Sequence, residues 1–370
     1  MTETTQPQES LAERLQARIA AEGPISFAQF MEAALYDPAE GFYARVPVGE
    51  EGDFVTSPHV SPVFGRLVAA QVTELWELLG RPRPFSLVEA GAGDGTLARQ
   101  ILRALPPEVR DATRYTAVDR STAARSALHG SGVSVAAGLD AVDRADAGCL
   151  LANELLDNLP FHRVRGTSRG VAELFVDMSG DRLALTEGPL TEEAARLAPT
   201  LVPGQEAVVS PAALDFVDGA AALFRAGYLW LVDYAAPPGD LTAQVHGYRR
   251  HHVEEDVLEH PGSRDITAGV DFGALARHAR ELGHSVWGPV LQRDVLIALG
   301  FRRVDEMAQA RQVAAIGHRR GIEALRTYSD RSRANLLLSP TGLGGFSMLC
   351  IGVGVSRSPP SFGRAEARCP

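Results

Sequence analysis

The 370-residue chain contains no lysine, so all 36 of its basic residues are arginine. That absence removes whole classes of chemistry. A Walker A loop needs a lysine to reach a bound phosphate, and pyridoxal phosphate enzymes and Schiff-base aldolases need its amine. Cysteine is nearly as scarce. Cys149, Cys350 and Cys369 stand at no metal-ligand or redox spacing, and the first two lie in apolar, strand-like runs where a thiol packs as a small hydrophobe. Such usage implies a reducing compartment. No apolar run is long enough to cross a bilayer, and the start, MTETTQPQESLAERLQARIA, lacks a basic segment followed by an apolar stretch. The expectation is a cytoplasmic protein with no membrane partner. A formal charge of −10 argues against a long nucleic-acid track, so no nucleic-acid partner is expected.

What is present suits a soluble globular protein, with 45% hydrophobic and 22% charged residues. Residues 1–80 read as an N-terminal helical and loop segment contributing to the pocket, with an apolar helical stripe at Val68, Gln71, Val72, Leu75, Trp76 and Leu79. Strands and helices then alternate: FSLVEAG, a helix from Leu97, YTAVDRS, a helix from Ala123, VSVAAGL and CLLANEL. This rhythm predicts an α/β fold, a mostly parallel doubly wound sheet, over residues 81–246. A β-hairpin near 170–190, around Met-Ser-Gly-Asp, is expected on the edge or rim of that sheet. Residues 247–334 read as a mostly helical insertion on the substrate side, 335–356 as the final core strand, and the Pro- and Arg-rich 357–370 as a disordered tail.

The stretch VEAGAGDGT at residues 88–96 carries the first functional signal. Glycines packed between a strand and a helix let a ligand approach the backbone. A dinucleotide fingerprint is G-x-G-x-x-G. Here Gly91, Gly93 and Gly95 are tighter by one residue, Glu89 ends the strand and Asp94 lies inside the loop. Carboxylates repel a pyrophosphate and suit the ammonium and sulfonium of S-adenosylmethionine. Asp119, at the end of the next strand, can accept ribose hydroxyls in either cofactor class. The alternative is that the glycines form only a tight turn.

Six stretches, EGDFVTSPHVSPVFG, VEAGAGDGTLARQIL, ANELLDNLPFHRV, WLVDYAAPPG, GYRRHH and RDITAGVDF, occur in an order that resembles MidA-type methyltransferases. These are relatives of the mitochondrial complex I assembly factor that methylates a protein arginine. The resemblance runs from about Phe30 to Gly352. It implies a class I methyltransferase (Rossmann-like) fold with an added helical lobe and S-adenosyl-L-methionine as cofactor. Departures lie on the substrate side: Asp233-Tyr234-Ala235 replaces Asp-Tyr-Gly, and the late glycine stretch is Leu343-Gly344-Gly345-Phe346.

Arginine methylation requires carboxylates that grip a guanidinium and manage one proton. Glu154, Asn153 and Asp157 follow the CLLA strand and are the catalytic candidates; on a helical turn Glu154 and Asp157 would share a face. Capping by Asn153 or Asp157 is the competing reading. The cofactor set is Glu89, Gly91, Gly93, Gly95, Thr96 and Asp119, with Asp53, Thr56 and Ser57 added by the resemblance. Substrate candidates are Asp233 and Tyr234 at a strand end, His251, and Asp265 and Asp271, which otherwise read as helix caps. The adjacent His251 and His252 point to opposite sides of a strand with no third ligand at useful spacing, so no metal is expected. Three functions stay open: methylation of an arginine in a protein or peptide, methylation of a small molecule or modified peptide, and a non-catalytic assembly role. The methyl acceptor and the oligomeric state, a dimer included, are not readable here.

Overall fold

The computed structural model describes residues 9–45, 56–236, 245–249, 252–254 and 256–367. The chain divides into two compact units. One comprises Met1–Pro47, Asn158–Leu214 and Pro237–Gly269; the other comprises Val48–Asp157, Asp215–Ala236 and Val270–Pro370.

The second unit holds a seven-stranded sheet of β1 (Phe85–Ala90), β2 (Thr113–Val118), β3 (Ser134–Ala136), β4 (Ala145–Asn153), β5 (Phe224–Asp233), β6 (Ser285–Leu291) and β7 (Ser347–Val353). Their order is β3-β2-β1-β4-β5-β7-β6. Strands β1 to β5 pair in parallel, and β7 runs antiparallel to both β5 and β6. The alternating pattern of the sequence is thus realised as an α/β, mostly parallel sheet. Residues 149–152 of β4 and 228–232 of β5 are all fully buried. That is why these strands read as continuous apolar runs: a parallel strand is covered on both faces. The strand order reverses between β1 and β4, and in open parallel sheets the crevice at such a switch point lies beyond the carboxyl ends of the strands.

The helix Pro62–Leu78 belongs to this unit and not to a separate N-terminal segment. Its buried Phe64, Leu67, Val68, Val72, Leu75 and Trp76 pack in the same cluster as Leu87, Cys149 and Trp230 of the sheet. The tail also departs from expectation. Pro360–Glu366 is a helix with Phe362 fully buried. Ser361 Oγ lies 2.6 Å from Gln71 Oε1 and 2.7 Å from Glu74 Oε1. A biased composition predicts disorder only when no anchor is available. Here one aromatic ring fills the core, and one hydroxyl meets the buried Gln71 amide and the Glu74 carboxylate.

The first unit is antiparallel. Strands Ile25–Ser26, Gly170–Ser179, His162–Thr167 and Glu206–Val209 lie in that order, and Arg182–Gly188 also pairs with Gly170–Ser179. The hairpin expected on the rim of the main sheet belongs to this separate one. His246–Arg249, His252–Glu254 and Asp265–Thr267 form a three-stranded sheet in the same unit. Residues 247–334 are therefore not a single helical insertion. Their first part is β-structure of one unit, and the rest supplies β6 and four helices to the other. Strand pairing over such sequence separations leaves no local signal.

Replacing Phe362 by Ala is expected to cost about 3 kcal/mol, the scale for deleting a buried aromatic ring. Replacing the half-exposed Arg364 should change stability by less than about 0.5 kcal/mol. Urea unfolding of the two variants checks this; equal midpoints would mean the terminal helix contributes nothing to the core.

Candidate functional site

The turn after β1 is built on left-handed glycines. Gly91, Gly93 and Gly95 have φ of 71°, 53° and 75°, a region that other residues enter only at a cost. A Cβ on Gly95 would stand 2.4 Å from Leu128 Cδ2, and one on Gly91 would stand 3.0 Å from Leu155 Cδ1. The loop's own amides are already engaged. Gly91 and Ala92 N–H donate to the Val118 carbonyl, Gly93 N–H to Asp119 Oδ2 at 2.9 Å, Gly95 N–H to the Ala92 carbonyl, and Thr96 N–H to Asp94 Oδ1 at 2.9 Å. A pyrophosphate site needs such donors pointing outward. This loop turns them inward and surrounds itself with carboxylates, which fits a cationic ligand.

Those carboxylates differ in state. Glu89, 4% exposed at the end of β1, accepts the Tyr115 hydroxyl at 2.6 Å, and burial pushes its carboxyl up to about 8. Burial also raises Asp119, which accepts N–H groups from Gly93 and Ser121. Burial acts upward on Asp94 too, but hydrogen bonds from His59 and Thr96 outweigh it and hold the group at about 2. Thr96, expected to face cofactor, directs its hydroxyl to Asp94 Oδ2 at 2.8 Å.

Strand β4 neighbours β1, with Ala90 opposite Ala152, so the turn at Asn153-Glu154 stands beside the glycine loop. Glu154 has φ of 54°, and its N–H donates to the Val232 carbonyl. Its Oε1 accepts Ser57 N–H at 2.8 Å and Asn153 Nδ2 at 3.0 Å, and burial raises the carboxyl. Asn153 Oδ1 is buried with no partner among the described residues. A helical face shared by Glu154 and Asp157 does not form, because the chain leaves the strand through a left-handed residue and only then enters a short 3₁₀ turn at Leu156–Asn158. A strained non-glycine conformation of this kind persists where its surroundings fix it, and such positions cluster at functional sites.

Asp233 is not open to substrate. It is 1% exposed; Oδ2 accepts N–H groups of Leu155, Leu156 and Asp157, and Oδ1 accepts that of Tyr234. It shapes the turn that carries Glu154, and burial pushes it up to about 7. Tyr234 is 48% exposed, edge-on to Phe346. Asp271 caps helix Phe272–Glu281 through Ala274 N–H, so the capping reading holds there. Asp265 belongs to the other unit, buried among Tyr43, Asn158 and its neighbour Ile266, all of which donate to it. Asp53 and His251 lie outside the described residues.

Two residues escape sequence reasoning. His59 bridges Thr56 Oγ1 at 2.7 Å and Asp94 Oδ2 at 3.2 Å. A histidine three residues after a threonine was a local clue. Gln292, fully buried, sends Nε2 to the Leu343 carbonyl at 2.9 Å and towards Ser57 Oγ at 3.4 Å. Nothing in its surrounding sequence marks it. Ser57 thus contacts Glu154 through both its N–H and its hydroxyl, and that hydroxyl also faces Gln292.

Comparison with known proteins gives the family. Residues 67–290 match the family model described as "Putative S-adenosyl-L-methionine-dependent methyltransferase". "Protein arginine methyltransferase NDUFAF7, mitochondrial" from Xenopus tropicalis is 30% identical over 331 residues, covering 79% of this chain and 76% of the relative. The human protein of that name is 28% identical over 340 residues, covering 80% and 74%. A crystal structure from Burkholderia thailandensis, bound to S-adenosyl-homocysteine, is 26% identical with a TM-score of 0.81 and covers 96% of this chain and 95% of that one. These likenesses uphold the resemblance read from the sequence and the cofactor it implies. They also correct the cytoplasmic expectation, since the curated relatives are mitochondrial. Lack of a secretory segment tests export only; organellar import reads amphipathic arginine-rich segments instead.

The unfolded chain releases the Glu89 proton near its ordinary value of 4.5, while the folded chain keeps it to about 8. As pH rises between these values the unfolded state binds fewer protons, so folding stability falls. Relative to Glu89→Gln, the wild type should lose about 1.4 kcal/mol per pH unit from about pH 5 to pH 7.5. Urea unfolding across that range measures it; a constant difference would place an ionised carboxylate at this position.

Proposed function

The chain belongs to the S-adenosyl-L-methionine-dependent methyltransferase family whose model it matches over residues 67–290, and we propose that it methylates an arginine side chain of a protein or peptide. The observation that carries this reading is Glu154, a half-buried carboxylate fixed by Ser57 and Asn153 beside the glycine loop. A guanidinium has donors and no acceptors, and Glu154 with the unpartnered Asn153 Oδ1 offers acceptors only. The names of the curated relatives support the same substrate class.

Gly91, Gly93 and Gly95 let the cofactor approach the backbone, Asp94 supplies negative charge, and Asp119 accepts hydroxyls of its ribose. When bound, S-adenosylmethionine supplies a methyl group on a sulfonium, open to in-line attack. The residues of this chain do the rest. Glu154 orients the guanidinium so that one nitrogen faces the methyl, and its negative charge offsets the cost of bringing a cation into a desolvated crevice. Asp233 holds the turn in place from behind.

S-adenosylmethionine at a hundred times its Kd should stabilise the wild type by about 2.7 kcal/mol, and NAD should not. Gly93→Val should abolish that shift, because a β-branched residue disfavours the left-handed turn and fills the space beside the cofactor. Thermal melts with each ligand decide this, and stabilisation by NAD alone would remove the cofactor assignment.

Glu154→Gln keeps size and hydrogen bonding while removing charge. It should leave cofactor affinity within a few-fold and lower single-turnover methylation by about 10²-fold or more. Labelled methyl transfer into protein extracts, followed by amino-acid analysis, identifies the acceptor. Label in methylarginine supports the reading, and label confined to small molecules rejects it.

A further inference from the structure

Thr56, His59 and Asp94 form a hydrogen-bonded chain next to Glu154. Thr56 occupies the N-cap position of helix Ser57–Val60, yet its side chain caps no backbone N–H. Its hydroxyl is engaged with His59 Nδ1 instead, at 2.7 Å. Only 8% of the His59 side chain is exposed. Its tautomer follows from its partners. Asp94 is an ionised acceptor, so His59 Nε2 carries the hydrogen that meets Asp94 Oδ2. In the neutral imidazole Nδ1 then holds a lone pair, and the Thr56 hydroxyl donates to it. Asp94 is itself oriented by the N–H and hydroxyl of Thr96. A hydroxyl, an imidazole and an oriented carboxylate in sequence are the components by which active sites pass a proton.

Methylating a guanidinium leaves one proton in surplus, and Glu154 is poorly placed to take it. Its Oε1 already faces two N–H donors, and its other oxygen is needed for the grip on the cation. Ser57 N–H on Glu154 sets the adjacent Thr56 at the edge of the same site. Building on the arginine reading above, we propose that His59 accepts the proton of methyl transfer, reached through the Thr56 hydroxyl, while Glu154 holds the substrate. The methyl–sulfur bond breaks with its electron pair remaining on sulfur, and the nitrogen–methyl bond forms. The proton on that nitrogen moves to Thr56 Oγ1 as the Thr56 proton moves to His59 Nδ1. The positive charge lost at sulfur reappears on an imidazolium paired with Asp94. Other charged groups bear on that imidazolium: Glu154 acts on it directly, Arg99 stands 3.8 Å from Asp94, and Glu89 interacts with Asp94 from the end of β1.

Thr56→Val and His59→Ala test the proposal at saturating cofactor. Each should lower kcat by about 10²-fold, the scale for a general base, with the Kd for S-adenosylmethionine changed by less than about threefold. Added imidazole should restore activity to His59→Ala, with rates that follow the basicity of substituted imidazoles, and should not restore Thr56→Val. Unchanged kcat in Thr56→Val, or a loss in His59→Ala that no imidazole repairs, would overturn the relay and leave His59 a strut. Nitrogen-15 NMR of the free wild-type protein gives a readout that needs no acceptor: the Nε2–H tautomer is expected, and Nδ1–H would overturn the assignment. Should the wild type methylate an acceptor other than arginine, the substrate reading fails, and rescue measured on that acceptor still decides the relay.

Discussion

Glu89, Glu154 and Asp233 stand at or just past the carboxyl ends of β1, β4 and β5, the first and last buried and Glu154 half-buried, and none makes an ion pair among the described residues. Burial raises all three. Taking a carboxylate out of water without a counter-ion is costly, and three along one sheet edge also repel one another. The site tolerates this because each has a local remedy: a tyrosine hydroxyl on Glu89, two N–H donors on Glu154, and four backbone N–H groups on Asp233. The remedies differ in kind. Those on Asp233 are all backbone and make it part of the turn, whereas Glu154 is held by one backbone and one side-chain N–H. An edge so rich in acceptors suits a ligand that brings donors and positive charge, as the S-adenosylmethionine cofactor of the family does.

The glycine loop shows the same economy from the backbone side. Its left-handed residues let the chain fold back so that its amides bond to Val118, Ala92, Asp94 and Asp119. The same type of turn in a dinucleotide site leaves those amides facing outward for an anion. The ligand preference is therefore decided by where the N–H groups point and by the carboxylates beside them, more than by the number of glycines.

His59 ties these two halves together. It lies between the glycine loop and the Thr56-Ser57 segment, and that segment reaches Glu154 through one backbone N–H. The glycine loop and Glu154 are thereby set by neighbouring residues of one short helix, with Gln100 holding its Pro58 carbonyl from the helix after the loop. Precision at a transfer site depends on such supporting contacts, since small misplacements are enough to slow the reaction.

Local pattern determined the parts of this protein that depend on local physics. Alternating apolar runs and amphipathic helices predicted the parallel sheet, and the glycine spacing with Glu89, Asp94 and Asp119 pointed to a cationic nucleoside, because strand burial and turn conformation are written in neighbouring residues. The capping reading of Asp271 comes from the same local pattern, and the helix it caps is there. Tertiary structure alone decided the rest. The hairpin near 170–190 left the main sheet for another, the region after 247 split between two units, and the terminal helix gained its anchor in Phe362 and Ser361. Asp233 became a support and Gln292 a buried neighbour of Ser57 for the same reason. Each of these outcomes depends on pairing between residues far apart in the chain, and a side chain's burial and hydrogen-bond partners exist only once that pairing has formed.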